Sequence, residues 1–178
     1  MESFPPAPCS ETPGNLSFGA GGIEFVPIES ITAEQAGYVG PNWSEGWLVV
    51  ARETTCGDPI FVDRTVPELP VFTAIDGMGD WDASPVAPSW SAFLAAIEAF
   101  RPFTTGREHP IGVEQKPLST AERRELEQSL QNSLGSPLPE FWELLLDEGV
   151  HSEVVYESSP RVSSAEDIRG RGKGRPGS

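Results

Sequence analysis

The 178-residue chain has few of the residues that most often carry catalysis or bind transition metals. It contains two histidines and two cysteines. Cys9 and Cys56 are far apart and form no Cys-x-x-Cys, which argues against zinc and a structural disulfide. His109 and His151 fall in expected loops, and no Gly-x-Ser-x-Gly, phosphate-cradling glycine loop or His-Glu-x-x-His occurs. We therefore expect a protein that is not an enzyme and has no cofactor or metal.

Long hydrophobic runs are also missing. No apolar stretch approaches the roughly 18 residues of a membrane span, and no basic-then-apolar opening marks a secretory signal. A chain of this length with 38% hydrophobic residues can bury one core. We expect a cytoplasmic protein with no membrane partner and a single domain over residues 18–160.

Basic residues are scarce outside the C-terminal end. The chain has 12 Lys/Arg against 27 Asp/Glu, a net charge of −15, and residues 1–160 alone carry −18. A body this acidic repels nucleic acid and attracts a basic protein partner, although acidity also serves solubility alone. Residues 161–178 hold an Arg/Gly pattern of a kind that can bind RNA. We instead expect a disordered basic tail at 161–178 and a disordered Pro/Gly/Ser-rich head at 1–17.

The middle of the chain predicts a sheet followed by a helix. Trp47–Arg52, Ile60–Asp63 and Pro70–Ile75 are short apolar runs separated by turns such as Gly57-Asp58-Pro59, which favours an antiparallel meander. Ser89 is a candidate N-cap for a helix that Arg101-Pro102 is expected to end. The apolar stripe of this helix is Trp90, Phe93, Leu94, Ile97 and Phe100. We expect it to pack on Trp47, Val49, Val62 or their neighbours on the same sheet face.

Residues 18–100 resemble the SMI1/KNR4 superfamily through the order and spacing of their landmarks. These landmarks are Ile23–Ile31, Trp47–Ala51, Gly57–Ile60, Pro70–Phe72, and Ser89 with Phe93 and Leu94. The resemblance implies an α+β fold in which an antiparallel sheet packs against helices. It also implies no catalytic motif, an immunity role against delivered toxins for many bacterial members, and a scaffold role for fungal members.

The chain departs from that family in the position of two helices. The family begins with an acidic, leucine-bearing helix and then a Leu-Pro, aromatic and leucine helix ending at glycine. Here the similar segments, Leu118–Glu127 and Leu138–Gly149, follow the sheet core of residues 18–100 and make up C-terminal helices at 118–149. A permuted domain, a truncated second copy, or unrelated helices with a common pattern would each explain this order.

The C-terminal helices are well specified whatever their ancestry. Ser119 and Glu122 form a capping-box pattern. Leu126, Leu130 and Leu134 make a thin stripe, which indicates a surface helix ending at Gly135. The next segment, with apolar residues at 138, 141, 142 and 144–146, indicates either a core helix or an exposed partner-binding helix.

The loop Asp76–Asp82 is the strongest candidate for a functional site. Asp76, Asp80 and Asp82 could hold a hard cation such as Ca²⁺, but they do not follow the EF-hand order. A partner contact is the favoured interpretation, with Trp81 as an aromatic anchor or, alternatively, a plug at the core edge. The partner-binding hypothesis comprises Glu53, Asp58, Asp76, Asp80, Trp81 and Asp82. Trp43 lies in a loop and has no assigned role.

These observations predict a non-enzymatic protein-binding module. The preferred hypothesis is an immunity protein that neutralises a secreted or contact-delivered toxin by binding its basic domain, with an acidic face that mimics phosphate. One alternative is a regulatory scaffold that binds a cellular partner. Another is a small metal-dependent hydrolase that uses the loop carboxylates, because paired acids can carry acid/base chemistry without histidine.

Overall fold

A six-stranded antiparallel sheet forms the centre of the fold. The computed structural model describes residues 11–77 and 79–149. Its strands are β1 (Leu16–Phe18), β2 (Gly21–Phe25), β3 (Trp47–Glu53), β4 (Pro59–Asp63), β5 (Val71–Thr73) and β6 (Ser84–Ala87). Each strand pairs with the next in chain order. The predicted α+β fold with an antiparallel meander is therefore confirmed.

Five α-helices accompany the sheet in the part of the chain that the structure describes. They are α1 (Ile31–Glu34), α2 (Trp90–Thr104), α3 (Pro110–Gln115), α4 (Thr120–Leu134) and α5 (Glu140–Glu148), and 3₁₀ turns flank α1 at Ile28–Ser30 and Gln35–Gly37. Both predicted helix starts are confirmed. The Ser89 hydroxyl accepts a hydrogen bond from Ala92 N at 3.1 Å, and Ser119 and Glu122 form both halves of the capping box.

One face of the sheet is covered by α2 and α5, and α4 packs on α2. Phe100 on α2 meets Phe18 on β1 edge to face, with ring centroids 5.0 Å apart. Trp142 on α5 is fully buried and donates from Nε1 to the carbonyl of Val86 on β6 at 2.9 Å. The three leucines of α4 are buried in the same cluster: Leu126, Leu130 and Leu134. Helix α5 does not bury all of its apolar side chains, because Leu144 is 62% exposed. The C-terminal helices thus share one core with the sheet.

The structure corrects the predicted start of the ordered domain. Leu16, within the predicted disordered head, is 1% exposed and begins β1. The Asn15 side chain accepts a hydrogen bond from Phe25 N at 2.9 Å, which ties this segment to β2. The Pro/Gly-rich composition suggested that the entropy lost on ordering would keep this segment disordered. Burial of Leu16 and this hydrogen bond offset that loss. The remainder of the head, residues 1–10, and the tail at 161–178 lie outside the described residues.

The predicted end of α2 at Arg101-Pro102 is wrong, because the helix continues to Thr104 with Pro102 inside it. Arg101 donates to the carbonyls of Gly14 and Asn15, and the Thr104 hydroxyl caps the carbonyl of Arg101 at 2.9 Å. These contacts outweigh the local preference of a residue before proline for extended backbone. Proline near a helix end also removes only one intrahelical bond.

Of the alternatives expected for the packing of α2, the one that places it on Trp47 is wrong. Trp47 contacts Phe61 on β4, with ring centroids 4.6 Å apart. Phe25, by contrast, contacts Trp90 and Phe93 of α2. Alternate residues of a strand point to opposite faces, and a register shift between Val49 and Ala51 displaces that alternation within β3. Trp47 therefore lies on the sheet face opposite α2.

Candidate functional site

The sheet face opposite α2 carries a cluster of aromatic side chains. Trp43 lies at its centre, with its ring centroid 5.3 Å from Tyr38, 5.2 Å from Trp47, 5.1 Å from Phe61 and 5.0 Å from Trp81. Phe61 and Tyr38 are buried, whereas the three indoles are half-buried. We refer to Trp43, Trp47 and Trp81 as the tryptophan surface.

The side chain of Gln35 fastens the segment before this surface to the sheet. Its Oε1 accepts from Val49 N at 2.9 Å, and its Nε2 donates to Val49 O at 3.1 Å. The β2–β3 pairing runs only from Ile23 to Phe25 on the β2 side, so Val49 lies beyond it. The amide of Gln35 therefore takes the place of a paired strand residue and satisfies both backbone groups of buried Val49.

Tyr38, Glu34 and Arg52 form a polar group that attaches the same segment to β3. The Tyr38 hydroxyl donates to Glu34 Oε1 at 3.1 Å, and Arg52 on β3 forms an ion pair with that same oxygen. Burial, assisted by the Glu34 carboxylate, raises the pKa of Tyr38 despite the opposing charge of Arg52. Tyr38 therefore remains a protonated donor at neutral pH, and the Arg52 cation is engaged inside the chain.

Three of the predicted site residues meet at the end of the sheet where β3 passes into β4. The Glu53 carboxylate accepts from Thr55 N at 2.6 Å and Cys56 N at 2.8 Å. Asp58 Oδ1 accepts from Asp76 N at 2.9 Å, which joins the β3–β4 turn to the β5–β6 loop. Glu53 and Asp58 thus hold backbone turns in place, and Asp76 remains exposed.

The other three predicted residues lie beside the tryptophan surface. Trp81 donates from its backbone N to Pro41 O and from Nε1 to Val39 O, both at 3.3 Å. Asp80 and Asp82 flank it and are exposed. Trp81 therefore packs against Tyr38 and Trp43 and remains half-buried. Next to it, Val39 is 75% exposed.

The stretch of chain from the end of β3 into α2, which includes the loop of Trp81, is strongly acidic. Residues 53–100 contain eight Asp/Glu and a single basic residue, Arg64. Arg64 donates to the carbonyls of Glu45 at 3.1 Å and Gly46 at 3.3 Å. Such an excess of carboxylates produces a negative potential that extends about a Debye length, roughly 8–10 Å at physiological salt.

Among the residues that the structure describes, no three or more His, Cys, Asp or Glu side chains are grouped as a metal site. The alternative cation site at Asp76, Asp80 and Asp82 therefore has no ligand cluster in that part of the chain. In the same range, no helix is both long and apolar enough to cross a membrane.

The sequence did not identify Tyr38, Val39 and Trp43 as the residues that contact Trp81. The sequence indicates that Trp43 lies in a loop, but its contact with Trp81 joins residues 38 positions apart, and periodicity carries no signal for such a pairing.

Comparison of the chain with protein-family models, curated proteins and solved structures finds no match.

Proposed function

We propose that this protein is a non-enzymatic binding module whose partner is a basic protein domain. In the form suggested by the resemblance to SMI1/KNR4 proteins, that partner is a toxin and this chain is its immunity protein. The toxin is neutralised by direct binding, with carboxylates occupying the groove in which a nuclease toxin holds phosphates. Nucleic acid is not a partner, because the acidic surface repels it.

The observation that carries this proposal is the tryptophan surface bordered by exposed Asp80 and Asp82, in a region with no Lys or Arg between Arg64 and Arg101. Half-buried tryptophans are common among residues that dominate binding energy. Surrounding carboxylates accelerate encounter with a basic protein and disfavour acidic ones. Aromatic contacts and charge are thus combined on the face that the helices leave uncovered.

The test begins with capture of a partner and continues to its activity. The purified full chain is immobilised, and lysate and secreted material from its own cells are passed over it at moderate salt. A basic toxic protein that is retained and loses its activity at an equimolar ratio supports the proposal. A retained regulatory protein would establish a scaffold instead. If no protein is retained, the binding-module proposal fails, and a Ca²⁺ or Zn²⁺ titration of the melting temperature tests the hydrolase alternative.

Two double variants that reverse charge, one beside the tryptophan surface and one on α4, test where the partner binds. The double variant Asp80→Lys/Asp82→Lys should weaken binding by about tenfold or more at low salt, mainly through slower association. The control, Glu125→Lys/Glu127→Lys on α4, changes the net charge equally on the helical side and should have a smaller effect. Equal effects of the two double variants would show that net charge alone attracts the partner and would remove this face from the proposal.

A further inference from the structure

We infer that the tryptophan surface binds arginine side chains of the basic partner, with guanidinium groups stacked on the solvent-accessible parts of its half-buried indoles. The inference rests on the proposed function and specifies the chemistry of the contact. Trp43 and Trp81 are half-buried, and their centroids are 5.0 Å apart at an interplanar angle of 69°. The two rings therefore present differently directed faces and edges to a group arriving from solvent.

Arginine fits this surface better than lysine or an apolar side chain. Tryptophan offers the strongest cation–π interaction, and the planar, weakly hydrated guanidinium also stacks on a ring. Its five N–H donors could reach Asp80 and Asp82 on either side of Trp81, whereas an apolar side chain would leave those carboxylates without a partner. An ammonium group cannot stack in the same way.

The cations of the neighbouring strands are engaged elsewhere. Arg52 pairs with Glu34, and Arg64 donates to the backbone of Glu45 and Gly46. Trp81 itself is half-buried, and Val39, whose backbone carbonyl accepts the indole N–H, is 75% exposed. The surface therefore combines indoles and carboxylates without a described intramolecular ion pair to its flanking acids Asp80 and Asp82.

The test uses the full chain and a synthetic peptide of alternating glycine and arginine, followed by calorimetry and tryptophan fluorescence. Replacing each arginine by citrulline keeps the shape and removes the charge, and this peptide should bind at least about tenfold more weakly. The Val39→Lys variant places a cation beside Trp81 and should weaken arginine-peptide binding by about fivefold or more. Because Val39 is so exposed, the variant should keep its melting temperature.

The matched control is Ile111→Lys on α3, where the wild-type side chain is 64% exposed. This variant adds the same charge on another part of the chain and should change peptide affinity by less than about twofold. Equal losses for Val39→Lys and Ile111→Lys, or no loss for Val39→Lys, would overturn the inference. Binding of the citrulline peptide as tightly as the arginine peptide would do the same.

Two further outcomes separate this inference from the proposed function. If a captured toxin is inhibited equally by wild type and Val39→Lys, the immunity role stands and the arginine contact fails. If the peptide binds as expected but no basic protein is captured, the contact chemistry stands and the immunity role fails. A last variant replaces the basic tail residues Arg169, Arg171, Lys173 and Arg175 with Gln. If it binds the peptide more tightly than wild type, the chain's own tail occupies the surface, and the inference of a separate partner is overturned.

Discussion

Arg107 joins the segment after α2 to the capping box of α4. It is 2% exposed, and it donates to the carbonyls of Lys116 at 2.5 Å, Phe103 at 3.0 Å and Pro117 at 3.4 Å. Its Nη2 also contacts Glu122 Oε1 at 2.9 Å. The second oxygen of Glu122 accepts the N-cap backbone N–H of α4. One carboxylate therefore serves a buried cation and a helix start together.

These contacts define the effect of Glu122→Gln. The backbone N–H of Ser119, followed by the Arg107 guanidinium, lowers the pKa of Glu122 from 4.5 to about 2. That difference corresponds to at most about 3.4 kcal/mol. The Glu122 side chain is 36% exposed, so solvent screening reduces the expected effect to about 1–2 kcal/mol. Glutamine keeps one oxygen acceptor, which can serve either the Arg107 guanidinium or Ser119 N, so the variant removes the charge and one of the two hydrogen bonds.

The pH dependence of this effect follows from the lowered pKa. Because the folded state holds the proton less tightly than the unfolded state, the Glu122 charge stabilises the fold fully above about pH 5. The contribution is lost as pH falls from there through the folded pKa of about 2. Urea unfolding of wild type and Glu122→Gln should give a difference of about 1–2 kcal/mol at pH 7 that narrows towards pH 3.

The matched control is Glu125→Gln, an exposed position on the same helix, which should change the free energy of unfolding by less than about 0.5 kcal/mol. The reasoning is refuted if Glu122→Gln matches this control at pH 7. A difference that persists unchanged down to pH 3 would also refute it, since the Glu122 charge would then not be its source.

Two further substitutions test a close steric contact at Gly149 and the hydrogen bonds of Gln35. A methyl group at Gly149 would lie 2.5 Å from Phe18 Cζ, so Gly149→Ala should cost about 1–3 kcal/mol and lower the melting temperature. Gly37→Ala, with open space at that point, should be nearly neutral; a comparable cost would contradict the steric explanation. Gln35→Met should destabilise by about 1–3 kcal/mol in urea unfolding, because both backbone groups of Val49 lose their partner. A neutral result would show that the amide is replaceable there.

The features that the sequence predicted correctly are those encoded by neighbouring residues. The caps at Ser89 and Ser119 follow from side chains that bind backbone groups within three residues. The runs at β3, β4 and β5 follow from β-branched and aromatic residues between turns. Strand β6 was missed because Ser84–Ala87 is short and contains Pro85, which sheets accept only at an edge, its position here.

The site was predicted in part. Trp81, Asp80 and Asp82 were selected because aromatic and acidic residues are concentrated in one loop. Their assembly with Trp43 depends on how the β5–β6 loop crosses the sheet, which is a tertiary property. The face occupied by Trp47 depends on the register shift in β3, and a shift of one residue exchanges the two faces of a strand.

The position of Trp142 in the core has a consequence for the order of folding during synthesis. Phe93 and Phe100 on α2 lie against this side chain, with ring centroids 6.1 Å and 6.4 Å away. The side chain that completes the burial of these rings thus comes from α5, which is synthesised after all six strands. A nascent chain that has reached only α2 exposes these rings, and such surfaces favour aggregation or chaperone binding. Cover of these two rings is complete only when α5 has been synthesised.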